Sequence, residues 1–236
     1  MTDRILQVEN LNSFYGQSQI LYDINFELYK NETVIVLGRN GMGKTTLLRS
    51  IMNMNPPDNE GSINFKNLDI SKFPSYDIAK SGIGLVPQGR RLFPSLSVYE
   101  HLTMTHRKGE NNDWTPEKVF DLFPEIARRK NNKGTDLSGG EQQMLAIGRA
   151  LVTNPSLLLL DEPLEGLAPV ISEKVIDTVN LLKEEGITIL WVEQKAVFIE
   201  KVADRVIIIE KGEIVYQANT QEFIENKEVK SEYLGV

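Results

Sequence analysis

The chain has 236 residues, no cysteine, and 26 basic against 33 acidic side chains, for a net charge of −7. A chain of this length buries enough surface to fold as one or two domains without a disulfide or metal staple. The missing thiols exclude disulfide frameworks and Cys-ligated zinc or iron–sulfur centres, and the acidic balance argues against a nucleic-acid binder. Apolar runs such as 157–160 and 206–209 are far short of the 18 residues a membrane helix needs, so no span is expected. Residues 1–5 carry no basic segment followed by an apolar one, so no signal peptide is expected.

Leu6 and Val8, then Leu21, Ile24, Phe26 and Leu28, lie in two segments of roughly alternating polarity. They are predicted as half-buried strands joined by a turn at 15–18. The apolar, β-branched run TVIVL, Thr33–Leu37, is predicted as a buried strand of a parallel sheet. A helix is predicted from Gly43, with Leu47, Leu48, Ile51 and Met52 on one face and 56–58 as its stop. Strands follow at 62–65 and 84–86. Between 93 and 134 the pattern changes to short helices, near 98–105 and 115–123, separated by polar turns such as 109–113. This stretch is predicted as an inserted helical subdomain. After it come a helix at Gly139–Leu151, a buried strand at 157–160, a helix at 170–185 closed by Gly186, and a strand at 187–192. Strands at Arg205–Glu210 and 213–217 flank the two-residue turn Lys211-Gly212, and one or two short helices end the chain from Gln221. Alternating strands and helices imply an α/β fold with a mainly parallel sheet covered on both faces. The expected organisation is a single domain over 1–236, with a core of 1–88 and 135–236 and a helical subdomain of about 89–134.

Residues 38–45, GRNGMGKT, match G-x-x-x-x-G-K-[ST] between a buried strand and a helix. In such a loop the glycines let successive N–H groups turn toward phosphate oxygens, and the helix N-terminus adds its positive dipole end. Gly38, Asn40, Gly41, Gly43, Lys44, Thr45 and Thr46 are therefore candidate nucleotide contacts. Lys44 is the charge for the β- and γ-phosphates, and the Thr45 hydroxyl is a candidate Mg²⁺ ligand. The run LLLLDE at 157–162 places two carboxylates at the carboxyl end of a buried strand, where ligands sit in open α/β sheets. Asp161 would hold Mg²⁺, and Glu162 would polarise an attacking water.

Between these motifs lies LSGGEQ at 137–142, a serine N-cap followed by two glycines that open a helix. The string resembles the signature motif of ABC-type ATPases, and the resemblance covers essentially the whole chain. It implies a P-loop NTPase fold with an N-terminal antiparallel β part and an inserted helical subdomain. It also implies that Tyr15 stacks on adenine, that Gln88 is the Q-loop glutamine reaching nucleotide and Mg²⁺, and that 163–168 is the D-loop. The implied mechanism needs two ATPase subunits, identical or homologous. ATP on Lys44 and Thr45 of one is covered by Ser138, Gly139 and Gly140 of the other. Closure and reopening would pass through the segment after Gln88, where Arg90, Arg91 and Phe93 would meet a membrane permease at the cytoplasmic face.

The strings VPQGRRLFP (86–94), GGEQQMLAIGRA (139–150), EGLAP (165–169), VEQ (192–194) and the ending EYLG (232–235) resemble the second ATPase subunit of branched-chain amino acid importers. Urea and short-amide importer ATPases are close to it, and motifs alone do not separate them. The usual switch histidine is replaced by Gln194, whose amide can donate to phosphate but cannot carry a proton. His101 and His106 both lie in the helical segment and are read as helix residues rather than ligands. Leu164 stands where a small hydroxyl residue is common and puts the D-loop hydrogen bonds in doubt; Ala168 stands where Asp is common but fits the subgroup. An ABC-type ATP switch on nucleic acid or ribosomes is disfavoured: 45–137 shows no sustained heptads, the chain has one cassette, and its charge is negative. An exporter ATPase for lipid or lipopolysaccharide would be expected to carry histidine at 194. A plain P-loop kinase is disfavoured by the signature string and by Glu162 following Asp161.

Overall fold

The computed structural model describes residues 3–109 and 113–234. The centre of the polar turn expected at 109–113, and the last residue of the ending at 232–235, lie outside the described residues. The chain starts with two long strands, β1 (Arg4–Tyr15) and β2 (Ser18–Tyr29), paired antiparallel about the short turn at 16–17. After β3 (Thr33–Leu37) and α1 (Lys44–Ile51), β4 (Asp58–Phe65) and the two-residue β5 (Leu68–Asp69) complete a four-stranded antiparallel sheet of order β2-β1-β4-β5. Helix α2 (Ser75–Lys80) leads to β6 (Ile83–Val86). Three short helices follow, α3 (Val98–Thr103), α4 (Pro116–Leu122) and α5 (Pro124–Ala127). Then come α6 (Gly139–Leu151), β7 (Leu157–Asp161), α7 (Pro169–Glu184) and β8 (Thr188–Glu193). The chain ends with α8 (Ile199–Val202), β9 (Arg205–Glu210), β10 (Glu213–Asn219), α9 (Thr220–Glu225) and α10 (Lys227–Val229), followed by a π-helical turn.

The second sheet has six strands in the order β10-β9-β3-β8-β7-β6. All its pairs are parallel except β9 with β10. The apolar runs of β3, β7, β8 and β9 are continuous because both faces of this sheet are covered, and side chains alternate between two cores. Val34, Val36, Leu157, Leu159, Leu190, Val192, Ile207 and Ile209 pack with α1 and the antiparallel sheet. Ile35, Leu37, Leu158, Leu160, Ile189, Trp191, Val206 and Ile208 pack with α6, α7 and the short helices. Helix α6 buries Met144, Ile147, Gly148 and Leu151, the face its spacing predicted. Helix α7 ends at Gly186, which takes a φ of 90° where a side chain would be strained.

Two pieces carry too little pattern to be read from sequence. Helix α2 buries only Ile78, and β5 is two exposed residues. The parallel arrangement brings the carboxyl ends of β3, β8, β7 and β6 side by side, with Leu37 opposite Glu193, Asp161 opposite Val192, and Val86 opposite Leu160.

Candidate functional site

The loop from Gly38 to Gly43 leaves the carboxyl end of β3 and opens α1. Gly43 is the N-cap residue at φ 102°, and a Cβ there would lie 2.6 Å from the Leu21 side chain. The backbone therefore runs where only glycine fits. Lys44 is 4% exposed and folds back over the loop. Its Nζ donates to the Gly38 carbonyl at 2.8 Å and the Arg39 carbonyl at 3.1 Å, and lies 3.1 Å from Glu162 Oε1. The Thr45 hydroxyl donates to Asp161 Oδ1 at 3.0 Å. Burial raises the Asp161 carboxyl above the usual range, and the Thr45 hydrogen bond opposes that.

Glu162 follows β7 in a left-handed conformation, φ 46°, and its N–H donates to the Val192 carbonyl at 3.0 Å. A side chain in this region carries backbone strain of about 1–3 kcal/mol, a cost typical of sites where a group must be aimed. The Gln88 amide donates to Glu162 Oε2 at 3.3 Å and to Glu165 Oε2 at 3.0 Å. Tyr15, Asn40, Gly41, Gly43, Lys44, Thr45, Thr46, Gln88 and Glu162 line one open cleft of about 460 Å³, with Ile20. Gly38 lies beneath it as the carbonyl partner of Lys44.

The other expected site residues are elsewhere. Gln194 is exposed and lines a second cleft of about 570 Å³, shared with Leu164, Glu165, Glu193 and Glu162. Glu162 is thus the wall between the two clefts. Glu193 ends β8 and is 5% exposed as a residue. One carboxylate oxygen accepts the Gln194 N–H at 3.0 Å and the other the Leu164 N–H at 3.3 Å. Burial raises its carboxyl; the two N–H groups and Lys44 pull the other way, and the Glu162 charge adds to the rise.

Ser138, Gly139 and Gly140 are not part of either cleft. Ser138 and Glu141 form a capping box: Ser138 N–H donates to Glu141 Oε2 at 2.8 Å, and Glu141 N–H to Ser138 Oγ at 3.3 Å. Ser138 and Gly139 are exposed. The Arg90 guanidinium lies against Gly139, where a Cβ would come within 3.3 Å of it, and 3.5 Å from Gln142 Oε1. Arg90 and Arg91 have φ of 64° and 45°. Their carbonyls accept from one side chain, Arg149 of α6, at 3.0 and 2.9 Å, and the same guanidinium sits 5.6 Å from the Phe93 ring centroid. His101 is fully buried beneath this loop. Its Nε2 accepts the Phe93 N–H at 2.9 Å, and its Nδ1 donates to the Ser97 carbonyl at 2.8 Å, which fixes the neutral ring. Burial holds its pKa below the usual imidazole value.

Sequence reasoning assigned no role to Glu193, Arg149 or His101. A charged residue ending an otherwise apolar buried strand, TILWVE, was the available signal for Glu193. Arg149 bonds to backbone carbonyls 58 and 59 residues before it, and His101 to a backbone N–H eight residues before it; neither spacing is a helical or strand repeat that local pattern would reveal.

The family model described as "ABC transporter" matches residues 21–165. The chain is 40% identical over 233 residues to the high-affinity branched-chain amino acid transport ATP-binding protein BraG of Pseudomonas aeruginosa, covering 98% of this chain and 100% of that protein. Among solved structures it is similar to MJ1267, an ATP-binding cassette of an ABC transporter, at 27% identity and a TM-score of 0.81, with 95% of each chain covered. It is also similar to the dimeric post-hydrolysis state of the cassette MJ0796 bound to ADP and Pi, at 26% identity and a TM-score of 0.77, covering 91% of this chain and 98% of that one.

Proposed function

The chain belongs to the ABC transporter ATP-binding family and is an ATP-binding, ATP-hydrolysing subunit, and on that premise we propose that it powers import of branched-chain amino acids. The observation that carries the reading is the convergence of Lys44, Thr45, Asp161, Gln88 and Glu162 at neighbouring strand ends, around a cleft open to a nucleotide. Identity to BraG along the whole length supports the amino acid class of solute.

In this reading Tyr15 stacks on the base, and the loop N–H groups with Lys44 hold the phosphates. Hard oxygen donors suit Mg²⁺: the Thr45 hydroxyl and the Asp161 carboxylate already face each other, and the Gln88 amide oxygen is the third candidate. When bound, Mg²⁺ supplies charge neutralisation at the β- and γ-phosphates. Glu162 orients and deprotonates the attacking water once Lys44 exchanges its carboxylate for phosphate. Gln194 donates its amide to the γ-phosphate when the two subunits close. Ser138 and Gly139 are exposed, Gly140 is half-buried, and none of the three lines its own chain's cleft, which suits a role on the nucleotide of a second subunit. Residues 89–134 form the helical subdomain of a single domain whose core is 1–88 and 135–236. Arg90, Arg91 and Phe93 on it face a polytopic permease, and the protein sits peripherally at the cytoplasmic face of the membrane. No helix of the described residues is long and apolar enough to cross one.

The test is uptake of labelled leucine and of labelled urea by cells carrying either the wild-type chain or Glu162→Gln as sole copy. Loss of leucine uptake alone is expected. Intact leucine uptake with lost urea uptake overturns the solute assignment.

A further inference from the structure

We propose that Glu193 is a positioning residue that sets the D-loop and the switch glutamine relative to Glu162 through their backbone N–H groups. The inference rests on the reading of Gln194 as the γ-phosphate donor. Strand β8 is buried along its whole length, and a carboxylate at its end loses solvation that hydrogen bonds must largely offset. Those bonds come from two separate segments. The Gln194 N–H belongs to the switch segment; the Leu164 N–H belongs to the D-loop, 29 residues earlier.

Glu162 is fixed by the same strand end, since its N–H donates to the Val192 carbonyl. Three groups thus hang on two adjacent residues: Glu162 on the backbone of Val192, and Leu164 and Gln194 on the side chain of Glu193. The bond at 164 uses only the main chain, which any residue but proline supplies, so it holds whatever the side chain is. The leucine side chain packs against the core, and its N–H ties the segment to Glu193. Glu193 itself does not line the phosphate cleft, so its effect runs through the groups it holds.

The experiment compares wild type, Glu193→Gln, Gln194→Ala and the double variant. It reads kcat, KM for Mg·ATP, nucleotide affinity and Tm. Glutamine keeps one oxygen but turns an NH₂ toward the other N–H, so one attachment is lost with little change in volume. Displacement of reacting groups by a fraction of an ångström lowers kcat of Glu193→Gln about 10- to 100-fold. KM and nucleotide affinity stay near wild type, because Lys44 and Thr45 are carried by α1. In the Gln194→Ala background the second change costs only what runs through the D-loop, so the double variant loses less than the product of the two single losses. A purely structural glutamate gives additive losses with a lowered Tm. Wild-type kcat in Glu193→Gln, additive losses, or a loss explained by weaker nucleotide binding each overturns the proposal. Wild-type kcat in Gln194→Ala instead overturns the reading of Gln194; Glu193 then acts on the D-loop alone, and the kcat of Glu193→Gln still decides that.

Discussion

Replacing Glu162 with glutamine should do two opposite things to the same cleft. Lys44 is already occupied by its own chain: two carbonyls and Glu162 Oε1, 3.1 Å away, surround its ammonium. A phosphate must displace that carboxylate before the lysine can serve it. At 3.1 Å and an effective dielectric near 20, the gross attraction is about 5 kcal/mol. Most of it is offset by the solvation each charge has given up, and the glutamine oxygen retains a hydrogen bond. A hydrogen bond between charged groups nets about 1.5–3 kcal/mol and one to a neutral partner about 0.5–1.5 kcal/mol, so the exchange relieves roughly 1–1.5 kcal/mol and tightens ATP binding about tenfold. Hydrolysis falls in the same variant, by about 10²- to 10⁴-fold, because the amide cannot take a proton from water. A fluorescent-nucleotide titration and a phosphate-release assay on one preparation read both effects. Unchanged or weaker ATP affinity refutes the idea that Glu162 competes for Lys44, and near-wild-type turnover dismisses it as the base.

Three further outcomes follow from other parts of the molecule. The isolated subunit should be monomeric without nucleotide and pair with ATP, and added salt should favour pairing because each copy carries −7; light scattering across ATP and salt concentrations checks this, and a stable nucleotide-free dimer counts against it. Gln194→His should stay active and add an inflection to the rate–pH curve between about pH 5 and 8, absent from wild type, as seen by ATPase assay at saturating Mg·ATP. His101, held neutral by burial, refuses a proton that the unfolded chain accepts near pH 6.5. Its contribution is therefore present above that pH and lost as pH falls through the lower native value, so the drop in urea midpoint from pH 7.5 to 5.5 should be shallower in His101→Gln.

The parts of this fold legible in sequence are those whose chemistry is contiguous. The buried parallel strands announce themselves as unbroken apolar runs because both faces are covered. The phosphate loop announces itself because its glycines, lysine and threonine are consecutive. Helix α2 and strand β5 do not, since one buries a single apolar side chain and the other none. At the site, sequence order placed Asp161 and Glu162 beside Lys44 and Thr45. It could not say that Gln194 opens onto a separate cleft behind Glu162, because that depends on which strands are neighbours. His101 was read as a helix residue and not a ligand; its bond to a backbone N–H eight residues before it has no signature in composition or spacing.

The loop at Arg90–Phe93 is fastened to helix α6 twice. Near the helix start the Arg90 side chain meets Gly139 and Gln142, and toward its end Arg149 grips two carbonyls. Ten residues separate Gly139 from Arg149, about 15 Å of helix. A segment pinned at two points that far apart cannot swivel on the rod that carries it. It can only travel with it. A push on Phe93 is therefore shared with the helix that opens beside Ser138, through contacts at both of its ends.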